Sequence, residues 1–288
     1  MNVDTQTMPM APTAPIGIFD SGIGGLSVLQ HVHQDLPHED LVYFADSAYA
    51  PYGDKSEAEI SARSLTVTEF LLQRGVKALV VACNTATTAA IKAIRTAYPE
   101  LPVIGIEPGL KPAAAQSRSK IVGVLATRAT LLSARLLALQ QQISAASGVH
   151  FELQACVGLV DQIEKGELHS AQTALLLRRY IAPLITQGAD TLVLGCTHYP
   201  FVRPLIEQIV GELTAQPIAI IDTGAAVSRQ LIKVMSENNL LHDSARAGQV
   251  SAFTSGSQSA LATTFANLLQ LHPPVSAVET IAQPAGIS

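Results

Sequence analysis

Leu79-Val-Val-Ala-Cys-Asn-Thr85 returns 113 residues later as Leu192-Val-Leu-Gly-Cys-Thr197. Each copy is a short apolar run, rich in β-branched residues, that stops on a cysteine and passes into hydroxyl or amide side chains. A second pair behaves alike: Pro15-Ile-Gly-Ile-Phe-Asp-Ser21 matches Ile121-Val-Gly-Val-Leu-Ala-Thr127, 106 residues apart. Two such offsets of similar size mark two structurally related units. Around these runs the pattern predicts strands at 16–19, 41–45, 78–82, 103–106, 121–126, 151–155, 191–195, 218–221 and 250–254. Segments of helical period lie between them, among them 25–36, 57–74, 87–97, 131–144, 170–186 and 225–238. Ser56 followed by Glu59 predicts a capping box at one helix start. Strands alternating with helices in this way build βαβ units. The expected fold class is α/β: two similar doubly wound lobes with mainly parallel sheets and a site in the cleft between them. Ligands of open α/β sheets bind beyond the carboxyl ends of strands, which is where every polar motif of this chain falls.

Composition narrows the function. The chain has 288 residues, long for one hydrophobic core. It is 48% hydrophobic, 14% charged and 5% aromatic, which excludes disordered, collagen-like and coiled-coil proteins. Eighteen Lys and Arg against 23 Asp and Glu give a net charge of −5, so the basic footprint that grips nucleic-acid phosphates is missing. No apolar run approaches the roughly 18 residues of a spanning helix, so no membrane partner is expected. Met1–Ala14 carries neither a basic residue nor an apolar block. It therefore reads as a disordered leader rather than a secretory signal, and the expected location is cytoplasmic.

Three cysteines, Cys83, Cys156 and Cys196, carry the chemical question. An odd count without a secretory signal argues against disulfides, and the spacings match no zinc pattern. The eight histidines are scattered, so no metal is expected. Cys83 precedes Asn84 and Thr85, two good N-cap residues, and a thiol facing a helix start has a lowered pKa. Cys196 repeats the placement beside Thr197 and His198. One strand-end cysteine is as readily a small core hydrophobe. Two at matched positions favour function, whereas Cys156, beside Val157 and Gly158, reads as core. Opposed thiols across a cleft suit proton transfer on the two faces of one carbon, one taking a proton while the other gives one. Asp20 and His198 are the candidate acid–base partners.

The loop Gly22-Ile-Gly24-Gly25 lacks the third glycine of a dinucleotide fingerprint, Ser27 standing there. Its glycines instead predict close backbone approach to an anionic group at a helix N-terminus. Ala50-Pro-Tyr-Gly53 reads as a turn that offers the Tyr52 hydroxyl, and Asp222-Thr-Gly224 as a structural cap. Near the thiols the neutral groups Ser21, Tyr52, Asn84, Thr85, Thr127, Thr130 and Thr197 outnumber one cation, Arg128. A small amino or carboxylic acid fits such a site. No lysine lies there to anchor a Schiff-base cofactor. Two other classes compete. A Cys196–His198 hydrolase leaves Cys83 without a role, and an amino-acid-binding protein leaves the duplicated thiols unexplained.

The assembled motifs resemble the cofactor-independent aspartate/glutamate racemase family. The resembling segments are 17–27, Ala50-Pro-Tyr-Gly-Asp-Lys-Ser56, Ala82-Cys-Asn-Thr-Ala86, Glu107-Pro-Gly-Leu-Lys-Pro112, Leu125-Ala-Thr-Arg-Ala-Thr130 and Leu194-Gly-Cys-Thr-His-Tyr-Pro200. Gly109 and Ala129 stand where the family pattern has Ala and Gly. The resemblance implies interconversion of L- and D-glutamate, with D-glutamate supplied to peptidoglycan synthesis, and no cofactor, neither PLP nor metal. It implies that Cys83 acts on D-glutamate with Asp20, and Cys196 on L-glutamate with His198. Glu164 matches a further active-site carboxylate. Asp20, Ser21, Tyr52, Gly53, Asn84, Thr85, Thr197 and His198 match substrate-binding positions, with Thr127 and Thr130 as additional contacts. It further implies one lobe of residues 15–107 plus 222–288 and another of 108–221. Relatives with a similar leader include some activated by a muramoyl nucleotide precursor, and that precursor and a second copy of the chain are the candidate partners besides glutamate. Aspartate is the alternative substrate within the family.

Overall fold

In the computed structural model, which describes residues 11–243 and 245–278, two parallel sheets share one strand order. The chain begins β1 (Ile16–Asp20), α1 (Leu26–Asp35), β2 (Leu41–Ala45), α2 (Glu57–Leu72), β3 (Ala78–Val81), α3 (Asn84–Ala97) and β4 (Val103–Gly105). It continues through α4 (Leu110–Gln116), β5 (Ile121–Ala126), α5 (Arg128–Leu132), α6 (Ala134–Ser147), β6 (His150–Ala155), α7 (Leu159–Glu164) and α8 (Ala171–Thr186). The last part holds β7 (Thr191–Leu194), α9 (Arg203–Leu213), β8 (Ala219–Ile221), α10 (Gly224–Glu237), β9 (Val250–Thr254), α11 (Gln258–Leu269) and β10 (Val275–Ala277).

The larger sheet has the order β10-β9-β2-β1-β3-β4 and the smaller β6-β5-β7-β8. Every strand pairing within them is parallel. Strip β10 and β9 from the first and the two orders coincide, β1 standing for β5 and β3 for β7. The two repeats seen in the sequence are these two strand pairs. In both sheets the chain reverses its direction of winding between those strands, so each has a switch point there. After β8 the chain returns to the larger sheet, α10 packing on α1. Strands β1 and β2 are buried at every position, as continuous apolar strands covered on both faces must be. One apolar cluster runs from Ile18, Leu29 and Tyr43 on the larger sheet to Leu125, Leu192 and Tyr199 on the smaller.

The capping box forms: Ser56 Oγ accepts the Glu59 N–H at 3.3 Å, and Glu59 Oε2 accepts the Ser56 N–H at 3.0 Å. Elsewhere the structure corrects the boundaries. Cys83 itself is the N-cap of α3, its Sγ accepting the Ala86 N–H at 3.4 Å, so Asn84 and Thr85 lie inside the helix. The segment expected as a helix over 131–144 is two helices, because Ser133 Oγ accepts the Leu136 N–H and restarts the chain as α6. Strand β10 was not foreseen. Of the expected leader, residues 1–10 lie outside the described residues. Residues 11–14 are a turn closed by Ala14 N–H to Ala11 O at 2.9 Å, and Pro12 O accepts the buried Lys77 ammonium. Among the described residues no helix is long and apolar enough to cross a membrane.

Candidate active site

Both switch points bring their polar residues to one place. From the larger sheet come Asp20 at the end of β1 and Cys83 after β3. From the smaller come Thr127 after β5 and Cys196 after β7. Asp20 is fully buried, and its carboxylate gathers three donors: Gly22 N–H at 2.9 Å and Ser21 Oγ at 3.5 Å on Oδ1, and Thr197 Oγ1 at 2.9 Å on Oδ2, with His198 close by in charge. Burial nevertheless outweighs these and pushes its carboxyl up. The Cys83 thiol donates to Ser21 Oγ at 3.7 Å, so thiol, hydroxyl and carboxylate form a chain.

Cys83 reverses one expectation. Burial first, and the Asp20 charge second, push its thiol up to about 12, against the pull of the Ala86 N–H and Ser21. The helix start acts on the sulfur as foreseen but is outweighed by desolvation. The Cys196 charge acts in the same direction as that of Asp20, which places the two sulfurs in one electrostatic neighbourhood.

Cys196 is embedded differently. It ends its strand like Cys83, but a 3₁₀ turn, Tyr199–Val202, intervenes before α9, so its sulfur caps no helix. Its neighbour is the imidazole of His198, with Sγ and Nδ1 3.6 Å apart. His198 Nε2 meets Glu164 Oε1 at 2.5 Å. Burial alone would lower the imidazole's pKa, yet the hydrogen bonds with Cys196 and Glu164 hold it well above the ordinary value. Glu164 is the reverse case: burial opposes its charge, and the hydrogen bonds from His198 and the Ile23 N–H, 2.9 Å away, hold its carboxyl below the ordinary range.

The glycine loop does approach an anion, and the anion belongs to the chain. A Cβ on Gly22 would strike the Glu164 carboxylate, and one on Gly24 would strike the His198 ring. Tyr43 OH donates to Gly22 O at 2.7 Å and fixes the loop from below. Across the junction, Thr85 Oγ1 lies 3.0 Å from Thr127 Oγ1 and 3.1 Å from Thr130 Oγ1, and a Cβ on Gly53 would press on Thr127 at 3.0 Å. Asn84 is buried, and neither its Oδ1 nor its Nδ2 has a hydrogen-bond partner among the described residues. A buried amide without partners is costly unless a ligand satisfies it. Tyr52 is buried as well, but its hydroxyl donates to Asp46 Oδ2 at 2.6 Å, so toward a ligand its oxygen acts as an acceptor. A cavity of about 520 Å³ between the Ser47–Pro51 segment and α7 opens beside Glu164.

Residues 21–231 match the Asp/Glu/hydantoin racemase family. The chain belongs to that family. It is therefore an isomerase. A glutamate racemase of Pseudomonas paraeruginosa is 54% identical over 231 residues, covering 80% of this chain and 85% of that protein. Among solved structures, glutamate racemase of Francisella tularensis in complex with D-glutamate superposes with a TM-score of 0.81 at 28% identity, covering 94% of this chain and 98% of that one. The Escherichia coli enzyme, in complex with L-glutamate and the activator UDP-MurNAc-Ala, gives a TM-score of 0.77 at 29% identity, covering 92% and 98%.

Glu164 joins the site through its hydrogen bonds with His198 and the Ile23 N–H. Asp222 accepts the Gly224 N–H at 3.2 Å in the turn before α10, whose N-cap is Thr223. Cys156 is buried, its thiol pushed up by desolvation, beside the Tyr199 hydroxyl. Sequence reasoning passed over Asp46, Arg63 and Ser255. Only the unusual burial of an acid at the end of β2 distinguishes Asp46, and burial of a polar residue is not readable from a strand pattern. Among the described residues no group of three or more His, Cys, Asp or Glu is placed to hold a metal ion.

Proposed function

We propose that this protein interconverts L- and D-glutamate by proton transfer between Cα and two thiols, Cys83 and Cys196. The observation that carries it is the pairing of two strand-end cysteines at equivalent switch points, each joined to a different proton-handling group: Cys83 through Ser21 to Asp20, Cys196 directly to His198. With D-glutamate, Cys83 as thiolate takes the Cα proton, and the Cys196 thiol returns one to the opposite face. With L-glutamate the roles exchange. No other bond is made or broken, and one proton enters for each that leaves. The Ser21–Asp20 chain gives the high-lying Cys83 proton a route away from sulfur. The His198 imidazole, hydrogen-bonded to Glu164, reprotonates or stabilises Cys196 as each direction needs. Asn84, Thr85, Thr127, Thr130, Thr197, Ser21, Tyr52 and the Gly53 backbone would hold the amino acid through neutral groups. The lobes would be residues 15–107 with 222–288, of which 244 and 279–288 lie outside the described residues, and 108–221. D-glutamate from this reaction would feed peptidoglycan synthesis in the cytoplasm without PLP or metal. A muramoyl nucleotide of the kind bound to the Escherichia coli relative would act as activator, and the working unit would be a homodimer.

Solvent exchange tests the reaction. In D₂O, L-glutamate should acquire deuterium at Cα as its optical rotation decays, with no added cofactor. Early product should carry deuterium while remaining substrate keeps protium, the mark of two separate bases. Parallel runs with aspartate, and with and without the nucleotide, separate substrate choice from activation. No exchange into glutamate under any of these conditions would overturn the assignment.

A further inference from the structure

We propose that Asp46 and Arg63 are positioning residues of this site, acting through the hydroxyl of Tyr52; the inference rests on the racemase reaction proposed above. Asp46 follows β2, and its N–H donates to Asp20 O at 3.0 Å, so its backbone is locked to that of the candidate acid–base residue. Its carboxylate is completely buried and takes four hydrogen bonds. Arg63 Nη2 and Ser255 Oγ reach Oδ1, both at 2.8 Å, and Arg63 Nε and Tyr52 OH reach Oδ2, at 2.9 and 2.6 Å. The arginine therefore binds as a fork, with its guanidinium 3.9 Å from the centre of the Tyr49 ring. From β2, α2 and the end of β9, this pair holds the whole turn from Ser47 to Asp54 on one fixed point.

Stability alone is a poor reason for such a pair. Replacing a buried ion pair with apolar groups of the same volume is often neutral or favourable, so its presence argues for a fixed geometry. The geometry in question is at the tip of the turn. Tyr52 is 1% exposed and near enough to Cys83 for a charge there to oppose ionisation of the phenol, and Gly53 backs onto Thr127 of the other sheet. Tyr52's phenol is pushed well above its ordinary value, by burial and then by Asp46, so it stays a donor to Asp46 at every working pH. Without that acceptor the hydroxyl must find another, and the wall of the site beside Cys83 shifts with it.

A double-mutant cycle on Asp46→Asn and Tyr52→Phe tests this, read both in Cα exchange and in urea unfolding. Each single variant should lower kcat/KM at least about tenfold, chiefly through KM, and the double variant should be no worse than about twice the poorer single. Arg63→Lys, which keeps the charge but loses the fork, should fall between wild type and Arg63→Met. If Asp46→Asn does not fold, the cycle of Arg63→Lys with Tyr52→Phe gives the same comparison. Losses that multiply, or coupling seen in unfolding with wild-type exchange rates, overturn the positioning role while leaving the reaction intact. A wild-type protein silent on every acidic amino acid overturns the reaction, and the positioning role falls with it.

Discussion

At the scale of single residues, two sulfurs with the same place in the fold meet different surroundings. Cys83 caps a helix and is handed to a hydroxyl and a buried carboxylate, while Cys196 lies against an imidazole. Cys83→Ala and Cys196→Ala should each lower racemisation at least about a thousandfold, measured as decay of optical rotation, and full activity in either would refute the two-thiol scheme. His198 adds a pH signature. Its folded value lies above the ordinary 6.5, so the stability it contributes is complete below 6.5 and fades as pH climbs through the raised value. The unfolding free energy of wild type relative to His198→Gln should therefore shrink from pH 6 upward; a difference that grows with pH would contradict a protonated ring. Both cysteines and most of their neighbours were legible because they sit in local motifs. The sulfur's protonation was not, since a cap is written in three residues and burial is the work of the whole chain.

Among the elements, the strands were the easier part. Parallel strands buried on both faces must be continuously apolar, so β1, β2, β3, β5 and β7 announce themselves. The three-residue β10 follows Pro273 and Pro274 and has too few residues for any period to register. Thiol capping at Cys83 shifted the start of α3, because a cysteine is not among the side chains that signal a helix start. Ser56→Ala should cost about 1 kcal/mol in urea unfolding by opening the capping box of α2, with the exchange rate kept. Gly22→Ala should do the opposite, lowering kcat/KM by about a hundredfold with little loss of stability, because the added methyl displaces Glu164 from His198. Retained activity would show that Glu164 is dispensable there.

For the whole molecule, the apolar cluster that joins the sheets predicts one cooperative melting transition rather than two. D-glutamate at a hundred times its Kd should add about 2.7 kcal/mol to that transition, and a ligand-independent melt would contradict a site built from both units. The repeat announced the paired architecture, but not that the second sheet copies the inner strand order of the first, since pairing order leaves no local trace. That copying makes the halves topological twins with unlike partners: a carboxylate chain on one sulfur, an imidazole on the other. Mirror-image substrates have equal free energies in water, so the equilibrium constant of their exchange is one. The ratio of kcat to KM must then be identical in the two directions, however differently the halves are furnished. The dissimilarity of Asp20 and His198 can appear only in how each direction divides that shared ratio, one enantiomer bound tightly and turned over slowly, the other loosely and fast.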